Sequence, residues 1–75
     1  MIADANLKPV RLKAVREQAG MSKAALFKAS GVDVGTIGRI ESGRFIPYDP
    51  QLTRLAGALG VDDPASLMQP LEAVL

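Results

Sequence analysis

Glycines divide the centre of this 75-residue chain into two short helical segments. The first, Lys23–Ser30, follows Ser22, a residue type that favours the N-cap of a helix. Gly31 ends this segment, and a second segment begins at Asp33, another good N-cap, and is closed by Gly43. Two helices joined by a short turn that contains glycine make a helix-turn-helix. This unit constrains the fold more strongly than any other stretch of the chain.

Apolar residues at helical spacing predict one helix before this unit and one after it. The earlier stripe lies in a first helix that Pro9 opens and Gly20 ends. The later stripe lies in a fourth helix that Asp49 caps, Pro50 opens and Gly60 ends. The residues of the two stripes are Leu12, Val15 and Ala19, and Leu52, Leu55, Ala56 and Leu59.

A fifth helix is predicted near the end of the chain. Asp62 or Asp63 with Pro64 repeats the start signal of a helix, and Pro70 interrupts the segment that follows. No alternating strand pattern is present. The sequence therefore predicts an all-α fold, a compact five-helix bundle that contains the helix-turn-helix.

The chain is expected to hold one domain with two short flanks. Residues 9–69 form the predicted helix-turn-helix domain. Residues 1–8 have no clear period and are expected to be a flexible N-terminal arm. Residues 70–75 are an apolar C-terminal tail that is a candidate dimer contact.

The composition excludes several kinds of site. The sequence has no cysteine and no histidine, which removes disulfides, thiolate zinc sites and the usual general base. We therefore expect no catalytic activity, no cofactor and no metal. No apolar run approaches the ~18 residues of a membrane span, and the N-terminus lacks a secretory apolar segment. A cytoplasmic protein with no membrane partner is expected.

Charge is distributed unevenly along the chain, although the net charge is only +1. Residues 8–44 carry eight Lys and Arg against three Asp and Glu, a net charge of +5. Residues 45–75 carry one basic residue against four acidic ones, a net charge of −3. A basic region around the helix-turn-helix suits a polyanion, because phosphate neutralisation supplies most non-specific nucleic-acid affinity. Ordinary solvated surface charge is the alternative explanation.

Motifs at fixed spacing resemble the Xre-like family, the DNA-binding domains of lambda-type phage repressors. The most specific are a Thr-Ile-x-Arg-Ile-Glu-x-Gly run at residues 36–43 and a Leu-Ala-x-Ala-Leu-Gly-Val run at residues 55–61. Together the matches cover about residues 10–68, most of the chain. The other matching residues are Leu12, Val15, Arg16, Gly20, Met21, Ser22, Leu26, Ser30, Gly31, Val32, Pro47 and Leu52.

The resemblance implies that the third helix, about residues 33–42, enters the major groove of double-stranded DNA. The second helix would then lie across the DNA backbone above it. The base-facing positions would be Val34, Gly35, Gly38 and Arg39. The phosphate-contacting positions would be Ser22, Lys23, Thr36 and Arg44. Arg16 and Glu41 match a structural ion pair that ties the first helix to the end of the third.

The outward face of the third helix departs from the polar set that the family usually has. Arg39 can bind guanine O6 and N7, and the alternatives are a phosphate contact or a surface ion pair. Gly35 and Gly38 each cost about 1 kcal/mol relative to alanine inside a helix. They either let the backbone approach the groove, with Val34 against a thymine methyl, or mark a helix that reads little. Lys23 replaces the usual Gln of the family.

Apolar residues outside the predicted core raise the question of a partner surface. Phe27 replaces a small residue where the family packs its second and third helices closely; an adjusted core is expected, and a partner-facing ring is the alternative. The loop after the third helix and the tail are more apolar than a monomer surface needs. They either cover the core or form a homodimer contact. The residues concerned are Phe45, Ile46, Tyr48, Leu71, Val74 and Leu75.

The sequence therefore predicts a sequence-specific, double-stranded DNA-binding transcription regulator, a repressor that acts as a homodimer. A regulatory protein partner is also envisaged, because the chain is too short for a separate ligand-sensing domain. The alternative is a protein-interaction module, antitoxin-like or adaptor-like, that keeps the same fold with weak or no DNA specificity.

Overall fold

The computed structural model describes residues 9–70. The predicted arm, residues 1–8, and the predicted dimer contacts Leu71, Val74 and Leu75 lie outside the described residues. Within residues 9–70 all regular elements are helical, which confirms the all-α prediction. They are α1 (Leu12–Gln18), α2 (Lys23–Ser30), α3 (Val34–Glu41), α4 (Asp49–Leu59) and a 3-10 helix (Pro64–Met68).

The prediction of five α-helices is wrong in its last element. The described chain has four α-helices, and the predicted fifth segment forms the 3-10 helix. Asp63 caps it as predicted, but its backbone bonds span three residues, as between the Gln69 amide and the Ser66 carbonyl at 3.3 Å. The segment stops because Gln69 is extended and its carbonyl accepts a hydrogen bond from the Arg11 amide at 2.9 Å. A single tight turn fits the short distance back to the start of α1.

α1 starts later than the position of Pro9 predicts. The Val10 amide donates a hydrogen bond to the Glu41 carbonyl at 3.2 Å, which holds this segment against the end of α3. Val10 also forms an antiparallel backbone bridge with Pro70. The two ends of the described chain therefore lie side by side, and helical structure begins only at Leu12.

The N-terminus of α4 also differs from the prediction. Asp49 is its first helical residue rather than its cap, and Tyr48 occupies the N-cap position. The Gln51 side chain accepts a hydrogen bond from the Tyr48 amide at 2.9 Å. The Gln51 side chain therefore reaches back and caps the backbone amide of the N-cap residue. This role does not follow from the residue types Asp, Asn, Ser and Thr that mark an N-cap in a sequence.

An apolar core joins the helix-turn-helix to the other elements. α2 packs against α3 and α4, and the 3-10 helix packs against α1 and α4. Each element contributes at least one side chain that solvent does not reach, and each such burial supplies about 1.5–3 kcal/mol. These residues are Leu12, Leu26, Ile37, Ile40, Leu55 and Leu67.

Ser30 and Gly31 fix the turn between α2 and α3. Gly31 has a φ of 80°, a left-handed conformation that carries no Cβ penalty in glycine. The buried Ser30 hydroxyl donates to the Leu26 carbonyl at 2.7 Å and accepts from the Val32 amide at 3.1 Å. Val32 is itself buried in the core. The turn therefore orients α3 through local hydrogen bonds and one apolar anchor.

Candidate nucleic-acid interface

α3 has one buried and one exposed side. Ile37 and Ile40 are inaccessible to solvent. Val34, Gly35 and Arg39 are exposed on the other side of the helix. This division follows the helical period of the sequence and matches the predicted inward and outward faces. The outward side presents an arginine and an apolar residue on an otherwise bare helix surface.

The N-terminal turn of α3 brings Asp33 and Arg39 close to Gly35. Asp33 Oδ2 caps the helix by accepting from the amides of Gly35 at 2.8 Å and Thr36 at 3.3 Å. Arg39 folds back along the helix, so that its Nη1 lies 3.7 Å from the place of a Cβ on residue 35. Its Nη2 is 3.5 Å from Thr36 Oγ1, which is a long and weak hydrogen bond. The guanidinium therefore keeps most of its donors available.

Gly38 lies beside the start of α2 and is half-buried. The Lys23 ammonium stands 3.5 Å from the place that a Cβ on Gly38 would take. Both residues line a surface cavity of about 240 Å³. Its lining residues are Pro9, Lys13, Lys23, Gly38, Glu41 and Ser42. The exposed surface of Gly38 therefore lies next to the Lys23 side chain of α2.

The predicted phosphate-contacting residues occupy three places around this surface. Ser22 caps α2 by accepting from the Ala25 amide at 3.0 Å, and Lys23 is the first residue of that helix. Thr36 is half-buried in the first turns of α3. Arg44 is exposed just beyond α3, and its amide donates to the Arg39 carbonyl at 2.8 Å. The four residues therefore lie at the start of α2, within α3 and just beyond α3.

Arg16 and Glu41 form a buried ion pair between α1 and the end of α3. Arg16 Nε donates to Glu41 Oε2 at 2.6 Å, and Nη2 donates to Oε1 at 3.2 Å. The remaining Nη1 donates to the Met21 carbonyl at 2.8 Å. These hydrogen bonds with Glu41 raise the pKa of Arg16 above its ordinary value. The pair joins three segments and leaves no buried side-chain polar atom of the described residues without a partner.

Comparison with known proteins identifies the family. The sequence profile of the helix-turn-helix domain matches residues 10–67. The chain belongs to this helix-turn-helix family. A search of curated protein sequences found no match. The solved structure of the restriction-modification controller protein C.AhdI from Aeromonas hydrophila is 32% identical, with a TM-score of 0.70, and the similarity covers 76% of this chain and 85% of that one.

These matches confirm the resemblance to Xre-like proteins and the helix-turn-helix fold. Members of the family are DNA-binding transcription regulators, and double-stranded DNA is accordingly the partner of this helix-turn-helix domain. The roles of individual residues are a separate matter. Those roles stay predictions, supported by where the side chains lie.

The apolar residues outside the predicted core, in α2 and in the loop after α3, differ in how far solvent reaches them. Phe27 is 43% exposed, so the expectation that its ring adjusts the core is wrong. It follows the buried Leu26 by one residue, about 100° around α2, where the ring reaches the surface. Phe45 is half-buried against the core, whereas Ile46 and Tyr48 are 81% and 69% exposed. The loop therefore packs Phe45 against the core and exposes Ile46 and Tyr48.

Sequence reasoning missed the positions of one surface residue, Lys13, and one buried residue, Ser30. Lys13 lines the cavity beside Lys23, but its place on α1 gave no reason to connect it with α2 or α3. Ser30 was noticed only as part of a family motif, although its hydroxyl links both sides of the turn. A helical wheel of α1 puts Lys13 three residues before Arg16, on nearly the same side. That spacing was the available signal.

No helix in residues 9–70 is long and apolar enough to cross a membrane. Within the same range, no group of three or more acidic, cysteine or histidine residues is arranged to hold a metal ion.

Proposed function

We propose that this protein is a sequence-specific transcription repressor that inserts α3 into the major groove of double-stranded DNA. The observation that carries the proposal is the exposed outward side of α3, where Arg39 lies over Gly35 with its donors available. A guanidinium can donate two hydrogen bonds to guanine O6 and N7. Val34, which is 38% exposed beside it, suits contact with a thymine methyl.

Phosphate contacts position the protein on DNA in this proposal. Lys23 is the first residue of α2 and Arg44 lies just beyond α3, while Ser22 is the N-cap of α2 and Thr36 lies in the first turn of α3. Contacts of this kind fix the register of the helix in the groove but carry no sequence information. Sequence discrimination therefore rests on Arg39 and the surface of Val34 and Gly35.

Similarity to C.AhdI, whose name describes it as a restriction-modification controller protein, supports a regulatory role. A small domain that occupies a promoter acts most simply by excluding other proteins from it. No catalytic residue or cofactor enters this mechanism. A regulatory protein partner would act by changing how much of the domain is free to bind DNA.

A homodimer completes the proposal. Ile46 and Tyr48 are exposed apolar residues beyond the end of α3, and the Tyr48 ring meets Phe45 edge-on with centroids 6.0 Å apart. We propose that a second copy covers this loop; to meet successive major-groove faces, the two α3 helices would need to lie about 34–36 Å apart, one turn of B-DNA. Sedimentation of wild type and of an Ile46→Asp, Tyr48→Asp variant tests it, because equal monomer masses would contradict this interface.

The same exposed loop supports a second candidate function. A protein-interaction module would use Ile46, Tyr48 and Phe27 to bind a protein, with weak or no DNA specificity. Selection of bound duplexes from a random pool, followed by salt titration, separates the two functions. A repressor yields a common site and a steep fall in affinity with salt. Absent or salt-insensitive binding to every duplex would exclude the DNA proposal.

A further inference from the structure

We propose that the cavity over Gly38 is a binding site for one DNA backbone phosphate, held jointly by Lys13 of α1 and Lys23 of α2. This inference rests on the proposed DNA-binding function and names a contact within it. It adds Lys13 to the interface and changes the role of Gly38. In this view Gly38 is a positioning residue that keeps the cavity open for the two ammonium groups, and it does not itself read a base.

The charge of the cavity favours an anion. Its lining includes two lysines and one carboxylate, Glu41. Both oxygens of Glu41 accept hydrogen bonds from Arg16, and the residue is only 4% exposed. The ion pair cancels that negative charge. Within residues 9–70 neither Lys13 nor Lys23 makes an ion pair, so both lysines that line the cavity lack a described counter-charge.

The space in the cavity depends on the absence of a long side chain at residue 38. The Lys23 ammonium lies 3.5 Å from the place of a Cβ there, which is an ordinary contact distance. Alanine therefore fits without moving Lys23. A longer side chain would extend beyond its Cβ into the volume that Lys23 occupies. With about 240 Å³, the cavity is much larger than the ~30 Å³ that a water takes up in the liquid. A tetrahedral phosphate has room in it.

The position of the cavity suits a phosphate of bound DNA. It lies between the first residue of α2 and the last turn of α3, beside the exposed face of α3 that carries Arg39. A helix in the major groove has the DNA backbone along its flanks, and a lysine acts on it as a compact, hydrated charge. Two lysines from different helices would hold the phosphate at a fixed distance from α3.

The test measures the salt dependence of duplex binding for five variants and the wild type. Lys13→Gln and Lys23→Gln each remove one ammonium, and Lys28→Gln is the matched control, an exposed lysine of α2 that does not line the cavity. Gly38→Leu fills the cavity, and Gly38→Ala is its matched control. Circular dichroism at the binding temperature establishes that each variant is folded.

The expected result separates the variants into two groups. In Lys13→Gln, Lys23→Gln and Gly38→Leu, the slope of log K against log salt should fall in magnitude by about 0.9, the value for one phosphate. Lys28→Gln and Gly38→Ala should keep the wild-type slope. The loss should be the same for different duplex sequences, because a phosphate contact carries no base information.

Three results would overturn the inference. They are a wild-type slope in Lys13→Gln, a wild-type slope in Gly38→Leu, and an equal loss in Gly38→Ala and Gly38→Leu, which would trace the effect to the helix backbone. Inorganic phosphate alone, titrated at constant ionic strength and followed by NMR at Gly38, separates a dissolved anion from DNA. Saturating shifts that duplex does not compete away would assign the cavity to that anion. A wild type without salt-dependent binding would instead contradict the proposed function.

Discussion

The two sides of α3 are held in place by different means. The inward side has Ile37 and Ile40 in the core and ends at Glu41, whose carboxylate is bound by Arg16. The outward side has exposed backbone at Gly35, with Arg39 resting over it through one weak contact. The inward side therefore determines where the helix stands, and the outward side is free to change what the helix contacts. Substitutions on the two sides should change different quantities.

Glu41→Ala should produce the largest loss of stability. It leaves the Arg16 guanidinium buried without its partner, and an unpaired buried charge costs about 3–5 kcal/mol of unfolding free energy. Denaturant unfolding measures the change. Because the pKa of Arg16 is raised in the folded protein, its stabilising contribution is complete below the ordinary arginine pKa and is lost only as the pH rises through the raised value.

A double variant provides the control for this ion pair. Arg16→Met combined with Glu41→Leu removes both charges and keeps apolar volume, so it should be much less destabilised than Glu41→Ala. If the double variant unfolds as readily as the single one, the loss belongs to packing at these positions and not to an uncompensated charge.

Ile37→Ala and Val34→Ala compare the two sides of the same helix at nearly the same size of change. Ile37 is fully buried, so its truncation should cost about 2–5 kcal/mol through lost burial and the cavity left behind. Val34 is 38% exposed, and its truncation should change stability by less than about 0.5 kcal/mol. Thermal unfolding of the two variants measures the difference, and similar midpoints would contradict the assigned faces.

Arg39→Ala should leave stability nearly unchanged and reduce base discrimination. Arg39 is exposed, and the hydrogen bond that its guanidinium makes to Thr36 is long and weak. Loss of a bidentate contact to guanine should lower discrimination at one position of the site by about 1–3 kcal/mol. Competition between duplexes that differ at single base pairs measures it. An equal loss for every duplex would reassign Arg39 to a phosphate.

The caps and the turn of the helix-turn-helix could be predicted from the sequence, whereas contacts between different helices could not. Ser22, Gly31 and Asp33 act through local backbone preferences, so their positions follow from residue type and spacing. The space beside Gly38 depends on Lys23, which reaches it from another helix, and a helical wheel contains no such information. The exposure of Phe27 likewise depends on how α2 is rotated against its neighbours.

The end of the domain shows the same limit. The start signal at Asp63 and Pro64 was interpreted correctly, because a cap is local. The following segment is a 3-10 helix, and Gln69 at its end forms hydrogen bonds with Arg11, at the opposite end of the described chain. The local cap at Asp63 was therefore predicted, whereas the type of helix that follows it was not.

The two glycines of α3 offer the smallest and most discriminating comparison. A Cβ at Gly38 would meet only Lys23 Nζ, at an ordinary 3.5 Å, so Gly38→Ala should gain the helical preference of alanine, about 1 kcal/mol of unfolding free energy. A Cβ at Gly35 would lie 3.0 Å from Asp33 Oδ2, the oxygen that caps the helix at the amides of Gly35 and Thr36. The carboxylate must move, and weakening such a cap costs about 0.5–2 kcal/mol. Gly35→Ala should therefore gain nothing or lose stability. Denaturant unfolding measures both changes. Equal stabilisation of the two variants would show that the cap tolerates a side chain at residue 35. Only the space needed by Arg39 or by DNA would then require glycine there.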